Sequence, residues 1–229
     1  METQLRLPEI RSKLIESLSP LLVPYGYKVK NRRGENSFLK KKESGYAEIQ
    51  FFYNDYFPID YTVHFVFRFY QSNIQNIIEA FCKDSHRPFI DNANIIFSEG
   101  NFIDELRGKL LKYRSGYKNK LGTNEDLENT IYKYKELIIN KINNLEIVFQ
   151  SAEGTAEYLF NNKDLVVGNC SENLLMTSLI SLKLINSRNY SILYQYYLDE
   201  LPKKEAYGVL ADKALNTVQE IYEYLNRKS

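Results

Sequence analysis

Tryptophan is absent from this chain of 229 residues, and cysteine and histidine each occur only twice. A chain of this length can bury a sizeable core without covalent staples, so small disulfide-built scaffolds are excluded. Cys82 and Cys170 lie far apart, outside any CxxC pattern and away from histidine, which predicts two buried thiols in a reducing compartment. With only His64 and His86 available, a conventional zinc site lacks ligands. None of the 10 glycines builds a phosphate-cradling loop or a dinucleotide-type cluster, so no cofactor is expected. Long apolar runs are lacking as well. The longest apolar-rich strand pattern, Ile59 to Tyr70, is broken by Asp60, His64 and Arg68, well short of the ~20 apolar residues a bilayer span needs. Met1 to Pro8 carries Glu2 and Arg6 where a secretory signal needs ~7–15 apolar residues. A cytoplasmic protein without a membrane partner is the expectation. A surplus of one charge is also missing: 30 Lys plus Arg stand against 29 Asp plus Glu, which excludes a wholesale polycation and an acidic disordered tail.

What is there in quantity is Asn, Ile, Lys and Tyr, which together supply over a third of the chain. Their codons are A/T-rich, so lysine and asparagine abundance is not itself a functional signal. Periodicity carries more. Ile10, Leu14, Ile15 and Leu18 recur at helical spacing, and Pro20 is expected to stop that helix. From Tyr25 the period is two, with Tyr25, Tyr27 and Val29 expected inward and Lys28, Lys30 and Arg32 outward, up to a turn at Arg33–Asn36. Return strands are expected over 37–42 and 46–53, then a twelve-residue strand over 59–70. Its Ile59, Tyr61, Val63, Phe65, Phe67 and Phe69 form one nearly all-aromatic face, expected to lie against the first helix and the helix that follows. That following helix shows Ile74, Ile77, Ile78, Phe81 and Cys82. A short edge strand is expected over 94–97 and a helix over 102–113.

The polar stretch Arg114 to Asn124 is the candidate boundary, dividing an α+β domain, 1–118, from a helical bundle, 119–229, if the two are not one continuous domain. The first part holds 18 basic and 14 acidic residues, the second 12 and 15. Beyond the boundary Thr123 or Asn124 caps a helix striped by Leu127, Ile131, Tyr134, Ile138, Ile142 and Leu145, and Ser151 opens a short one. The helix after Ser171, with Leu174, Leu175, Leu179, Ile180 and Leu182, is apolar all round and expected to be central. Two more follow, 190–201 and, after Pro202, the last. The predicted fold is α+β: an antiparallel β-meander flanked by helices, followed by an all-helical C-terminal half.

Catalytic chemistry finds little purchase. His64 falls on the strand face opposite the aromatic one, where a general base needs convergence with Asp55 or Asp60 in a pocket. His86 sits in a loop without a nucleophile elbow. The acid pairs Asp55/Asp60 and Glu43/Glu48 flank turns, where solvated carboxylates are ordinary. No catalytic or metal residue is assigned. Two surfaces stand out as candidates. Lys28, Lys30, Arg32, Arg33, Lys40, Lys41 and Lys42 put seven positive charges in fifteen positions, interleaved with aromatics, which suits single-stranded nucleic acid; outward lysines guarding a sheet edge explain the same pattern. The second is tyrosine: Tyr190, Tyr194, Tyr196 and Tyr197 on one helix, and Tyr207, Tyr222 and Tyr224 beyond it. Tyr190, Tyr194 and Tyr197 are expected inward, and Tyr196 exposed as a partner contact.

The segments Leu22-Val23-Pro24-Tyr25-Gly26-Tyr27-Lys28, Asn36-Ser37-Phe38-Leu39-Lys40 and Glu48-Ile49-Gln50-Phe51, after an amphipathic helix, resemble the start of a family of uncharacterised bacterial domains. The resemblance covers about the first third of the chain, with Tyr27 where the family has Phe. It implies a helix-flanked antiparallel sheet, a bacterial origin and no catalytic residue to carry over. It also favours a protein partner, as for immunity-type or adaptor proteins. A non-catalytic protein-interaction module is therefore the expected function, with single-stranded nucleic-acid binding through residues 28–42 as the alternative.

Overall fold

The computed structural model describes residues 5–32, 35–56, 60–87, 95–98, 119–121, 123–204 and 207–227. The chain forms two compact units, Met1–Phe69 with Ile96–Leu145 and Tyr70–Ile95 with Glu146–Ser229. The linker expected at 114–124 and the helix expected at 102–113 lie largely or wholly outside the described residues. The division differs from a single cut at 118: a segment after the meander joins the C-terminal helices, and the helix beginning at Asn124 joins the meander.

In the first unit, α1 (Leu7–Leu22) buries Ile10, Leu14, Leu18 and Leu22. Its start is fixed by the Glu9 carboxylate, which accepts the Arg6 backbone N–H at 2.9 Å, and by Pro8 in the first turn, where a missing N–H costs nothing. Pro20 does not stop the helix as expected. A proline this close to the end removes one backbone bond, and full burial of Leu18 and Leu22 outweighs that loss. The stop comes at Gly26, whose φ of 89° lets Tyr27 N–H return to the Leu22 carbonyl at 3.2 Å.

The meander follows as β1 (Lys28–Arg32), β2 (Glu35–Lys42), β3 (Gly45–Tyr56) and β4 (Asp60–Gln71). The sheet order is β1-β2-β3-β4-β5, with β5 (Ile95–Ser98) the edge strand expected near 94–97. An unforeseen two-residue strand, β6 (Asn119–Lys120), pairs with β4 at Thr62 and Val63. Register sets the faces: Val29 opposes Phe38 and Phe38 opposes Ile49, whereas Lys28 opposes Leu39 and Leu39 opposes Glu48. The inner face buries Phe38, Ala47, Ile49, Phe51, Val63, Phe65, Phe67 and Phe69.

That face meets α3 (Asn124–Leu137), while α1, as expected, packs on β1 and β2. The Tyr134 ring stands edge-on to Phe65 at 5.0 Å, and its hydroxyl donates to the Val63 carbonyl at 3.2 Å. Thr123 caps α3 reciprocally with Asp126, and α1 packs beside it, Lys13 reaching Asn124 at 2.7 Å. The stripe from Leu127 to Leu145 is buried as expected, but α3 passes through a widened π turn, Ile138–Ile142, into α4 (Asn143–Val148).

The second unit is helical. Around α7 (Glu172–Leu184) are α2 (Ser72–Asp84), α5 (Ala152–Asn161), α6 (Lys163–Asn169), α8 (Asn189–Glu200) and α9 (Val209–Arg227). Nine consecutive residues of α7, Leu174–Leu182, are buried, so it is the central helix its composition predicts. Its buried hydroxyls are satisfied locally: Ser178 bonds the Leu175 carbonyl and the Tyr197 hydroxyl, both at 2.7 Å. The Gln71 side-chain amide donates to the Phe149 carbonyl at 2.7 Å and to the Thr155 hydroxyl at 2.9 Å, tying the foot of α2 to the turn before α5.

Candidate functional site

The basic hairpin does not present one stripe of charge. Strand alternation sends Lys28, Lys30 and Lys41 to the outer face, all exposed. Lys40 and Lys42 share the Phe38 face, where their ammonium groups lie over the Tyr27 ring at 5.7 Å and the Phe69 ring at 4.9 Å. These two lysines close the rim of the core. The Arg32 side chain and all of Arg33 lie outside the described residues. Two of the three residues expected inward on β1 and its approach are exposed, Tyr25 at 58% and Val29 at 40%, against 1% for Tyr27. Tyr25 belongs to the tight turn Val23–Tyr25, before strand alternation begins, and Val29 stands on the terminal strand of the sheet.

His64 stacks on Phe52, with centroids 5.3 Å apart and rings 15° from parallel, on the outer face of the sheet. Its proposed carboxylate partners, Asp55 and Asp60, have side chains outside the described residues. Glu48 accepts the Ser37 hydroxyl at 2.7 Å, and Glu43 is exposed in the β2–β3 turn. His86 takes a left-handed φ of 54° and closes α2, and the next N–H, that of Arg87, reaches the Cys82 carbonyl at 2.9 Å. Cys82 and Cys170 are buried free thiols, and burial pushes both upward in pKa. Among the described residues no three metal-ligating side chains converge, and no helix is long and apolar enough to cross a membrane.

The tyrosines are mostly spent on packing. Tyr190 and Tyr197 are buried, and Tyr194 stacks on Tyr222 at 3.6 Å between centroids, with Tyr190 also stacked on Tyr222 at 5.0 Å. Tyr196 is half-buried, not exposed: its hydroxyl donates to Asp164 of α6, and Lys163 covers its ring at 5.3 Å. Burial raises the pKa of Tyr190, Tyr196 and Tyr197 well above the ordinary value near 10, Asp164 adding to the effect at Tyr196. A folded pKa above the unfolded one gives stability that is full below pH ~10 and is lost as pH rises beyond it. Tyrosinate absorbance should therefore show Tyr190, Tyr196 and Tyr197 ionising only together with unfolding. A single transition near pH 10 for all 19 tyrosines would contradict these environments.

Arg87, which no motif marked, is the hub of the second unit's polar network. Its guanidinium pairs with Glu220 at 2.9 Å and Glu172 at 3.2 Å and lies over the Phe81 ring. Glu172 also takes Lys213 at 2.8 Å and the hydroxyl of the fully buried Thr217 at 2.8 Å. This ties the end of α2 to the start of α7 and to α9. With only 18% of the Arg87 side chain exposed, Arg87→Met should cost about 1–2 kcal/mol in urea unfolding, less than a fully buried pair because Lys213 and Thr217 still serve Glu172. An unchanged midpoint would show the network to be idle. A 390 Å³ groove beside it is lined by Phe81, Asp84, Ser85, Glu220, Tyr224 and Arg227. Compared with known proteins, the chain matches no family model, no curated protein and no solved structure.

Proposed function

We propose that this chain is a non-catalytic protein-interaction module working in the cytoplasm, of the adaptor or immunity type. The observation that carries the reading is an apolar corner where α1 hands over to β1. Within seven residues Val23, Tyr25 and Val29 are 51%, 58% and 40% exposed, with Lys28 and Lys30 beside them. Aromatic and aliphatic groups rimmed by charge are the composition of an interface core and its surround, and tyrosine adds a hydroxyl to a large contact area. The test is affinity capture from the source cells with the wild-type chain and a Tyr25→Ser/Val29→Ser variant. One protein enriched by the wild type and lost from the variant is expected; identical captures would overturn the reading.

The outer sheet face favours a second reading. Lys28, Lys30 and Lys41 share it with the stacked Phe52 and His64, a combination of cations and rings that suits single-stranded nucleic acid. Salt-dependent binding of an oligothymidylate, lost in Lys28→Glu/Lys30→Glu, would support it, and no binding at low salt would end it.

A further inference from the structure

We infer that β1 is a docking edge that accepts one added strand, an extended acidic segment of a partner protein; this rests on the interaction-module reading. Three observations converge. Among the described residues β1 is the terminal strand of the sheet, paired with β2 alone in the strand order. Its residues 28–31 are all exposed, on both faces of the strand. Among the described residues neither Lys28 nor Lys30 forms an ion pair, whereas Lys40 and Lys42 are drawn over rings.

The row of backbone groups on a terminal strand is a template for another strand. Charge decides which one. A second copy of this edge, paired antiparallel about Val29, would set Lys28 against Lys30 on one face, and like charges directly opposite destabilise a pair. Self-pairing is thus disfavoured by the residues that favour an acidic visitor. A strand with Asp or Glu at every second position would bring them against Lys28 and Lys30 on the outer face. Its alternate side chains would fall on the inner face beside Val29, where apolar residues fit. Because a slip of one residue exchanges the faces, the alternation also fixes the register.

The full-length chain should be titrated with a synthetic twelve-residue peptide alternating Glu with Val or Tyr, with two versions N-methylated on alternate amides in opposite parity, with the Lys-for-Glu counterpart, and with an oligothymidylate. The acidic peptide is expected to bind. One methylated version should keep that binding and the other should lose at least tenfold, since only one parity faces the ladder. Lys28→Glu/Lys30→Glu should weaken the acidic peptide at least tenfold and favour the lysine peptide. The inference is overturned by failure of the acidic peptide to bind, by equal binding of both methylated versions, by equal binding of the lysine peptide, or by binding of the oligonucleotide alone. A cellular partner still captured by Lys28→Glu/Lys30→Glu would also end the edge inference while leaving the interaction reading intact. That reading falls only if Tyr25→Ser/Val29→Ser changes nothing in the capture.

Discussion

Phe65→Ala is expected to lower the stability of the first unit by about 3–5 kcal/mol, read as a fall in the urea midpoint. Phe65 lies mid-way along β4, is 1% exposed, and touches rings on two elements: Phe51 of β3 at 6.4 Å and Tyr134 of α3 at 5.0 Å, both edge-on. Truncation therefore removes a buried ring and also frees the two rings that lean on it, while the Tyr134 hydroxyl stays tethered to the neighbouring Val63 carbonyl and limits collapse into the void. Phe65→Leu keeps most of the volume and should cost about 1–1.5 kcal/mol, which keeps the comparison readable if the alanine variant does not fold. Val66→Ala, on the half-buried outer face, should cost less than either. Equal losses for Phe65→Ala and Val66→Ala would mean that the aromatic face is not the inner one.

The period-two rows make this face legible in the sequence, because alternation along a strand decides which side chains share a side. The same logic misled at Tyr25 and Val29. Alternation assigns a side, but burial on that side needs something opposite, and the terminal strand has less of it. The destination of α2 was likewise not in the pattern. Ile74, Ile78 and Phe81 announce a buried stripe, yet a stripe does not say what it is buried against, and here it packs on α7. β6 and α6 escaped because two or seven residues are too few for a period to show. The π turn at Ile138–Ile142 escaped because one widened turn leaves the stripe of apolar types unchanged.

At the candidate site, the density of positive charge was readable and its division between two faces was readable in principle, since Lys28 and Lys40 differ in parity relative to Phe38 across a known hairpin. What was missing is that a lysine beside an aromatic core can lie down on it, as Lys40 and Lys42 do. Arg87 gave no signal at all. Its partners, Glu172, Thr217 and Glu220, are distant in sequence and meet only through the packing of α7 and α9. Helical spacing points Tyr196 outward, whereas its half-buried position and its hydroxyl bond to Asp164 depend on α6, a helix too short for spacing to mark.

Gly154→Ala should destabilise the second unit by about 3 kcal/mol or more, although alanine is the better helix former by up to ~1 kcal/mol. Gly154 sits in the first turn of α5, where its N–H bonds the Ser151 hydroxyl at 3.0 Å. A Cβ there would stand 2.1 Å from the Val148 carbonyl oxygen, so the turn between α4 and α5 or the first turn of α5 must move. Neither moves freely. The Gln71 amide, 2% exposed, is anchored to the carbonyls of Phe149 and Ser151 and to the Thr155 hydroxyl, on both sides of the clash. Any shift that relieves Val148 lengthens those buried bonds, and a buried amide left without partners costs about 1–3 kcal/mol in addition to the steric strain. Gly168 in α6 is the matched control, with nothing within 4 Å of its would-be Cβ. There the helix-propensity term acts unopposed, and Gly168→Ala should stabilise by roughly 0.5–1 kcal/mol. Opposite signs for the two substitutions are the expected result; a stabilising Gly154→Ala would mean that the α4–α5 turn yields and that Gln71 does not hold it.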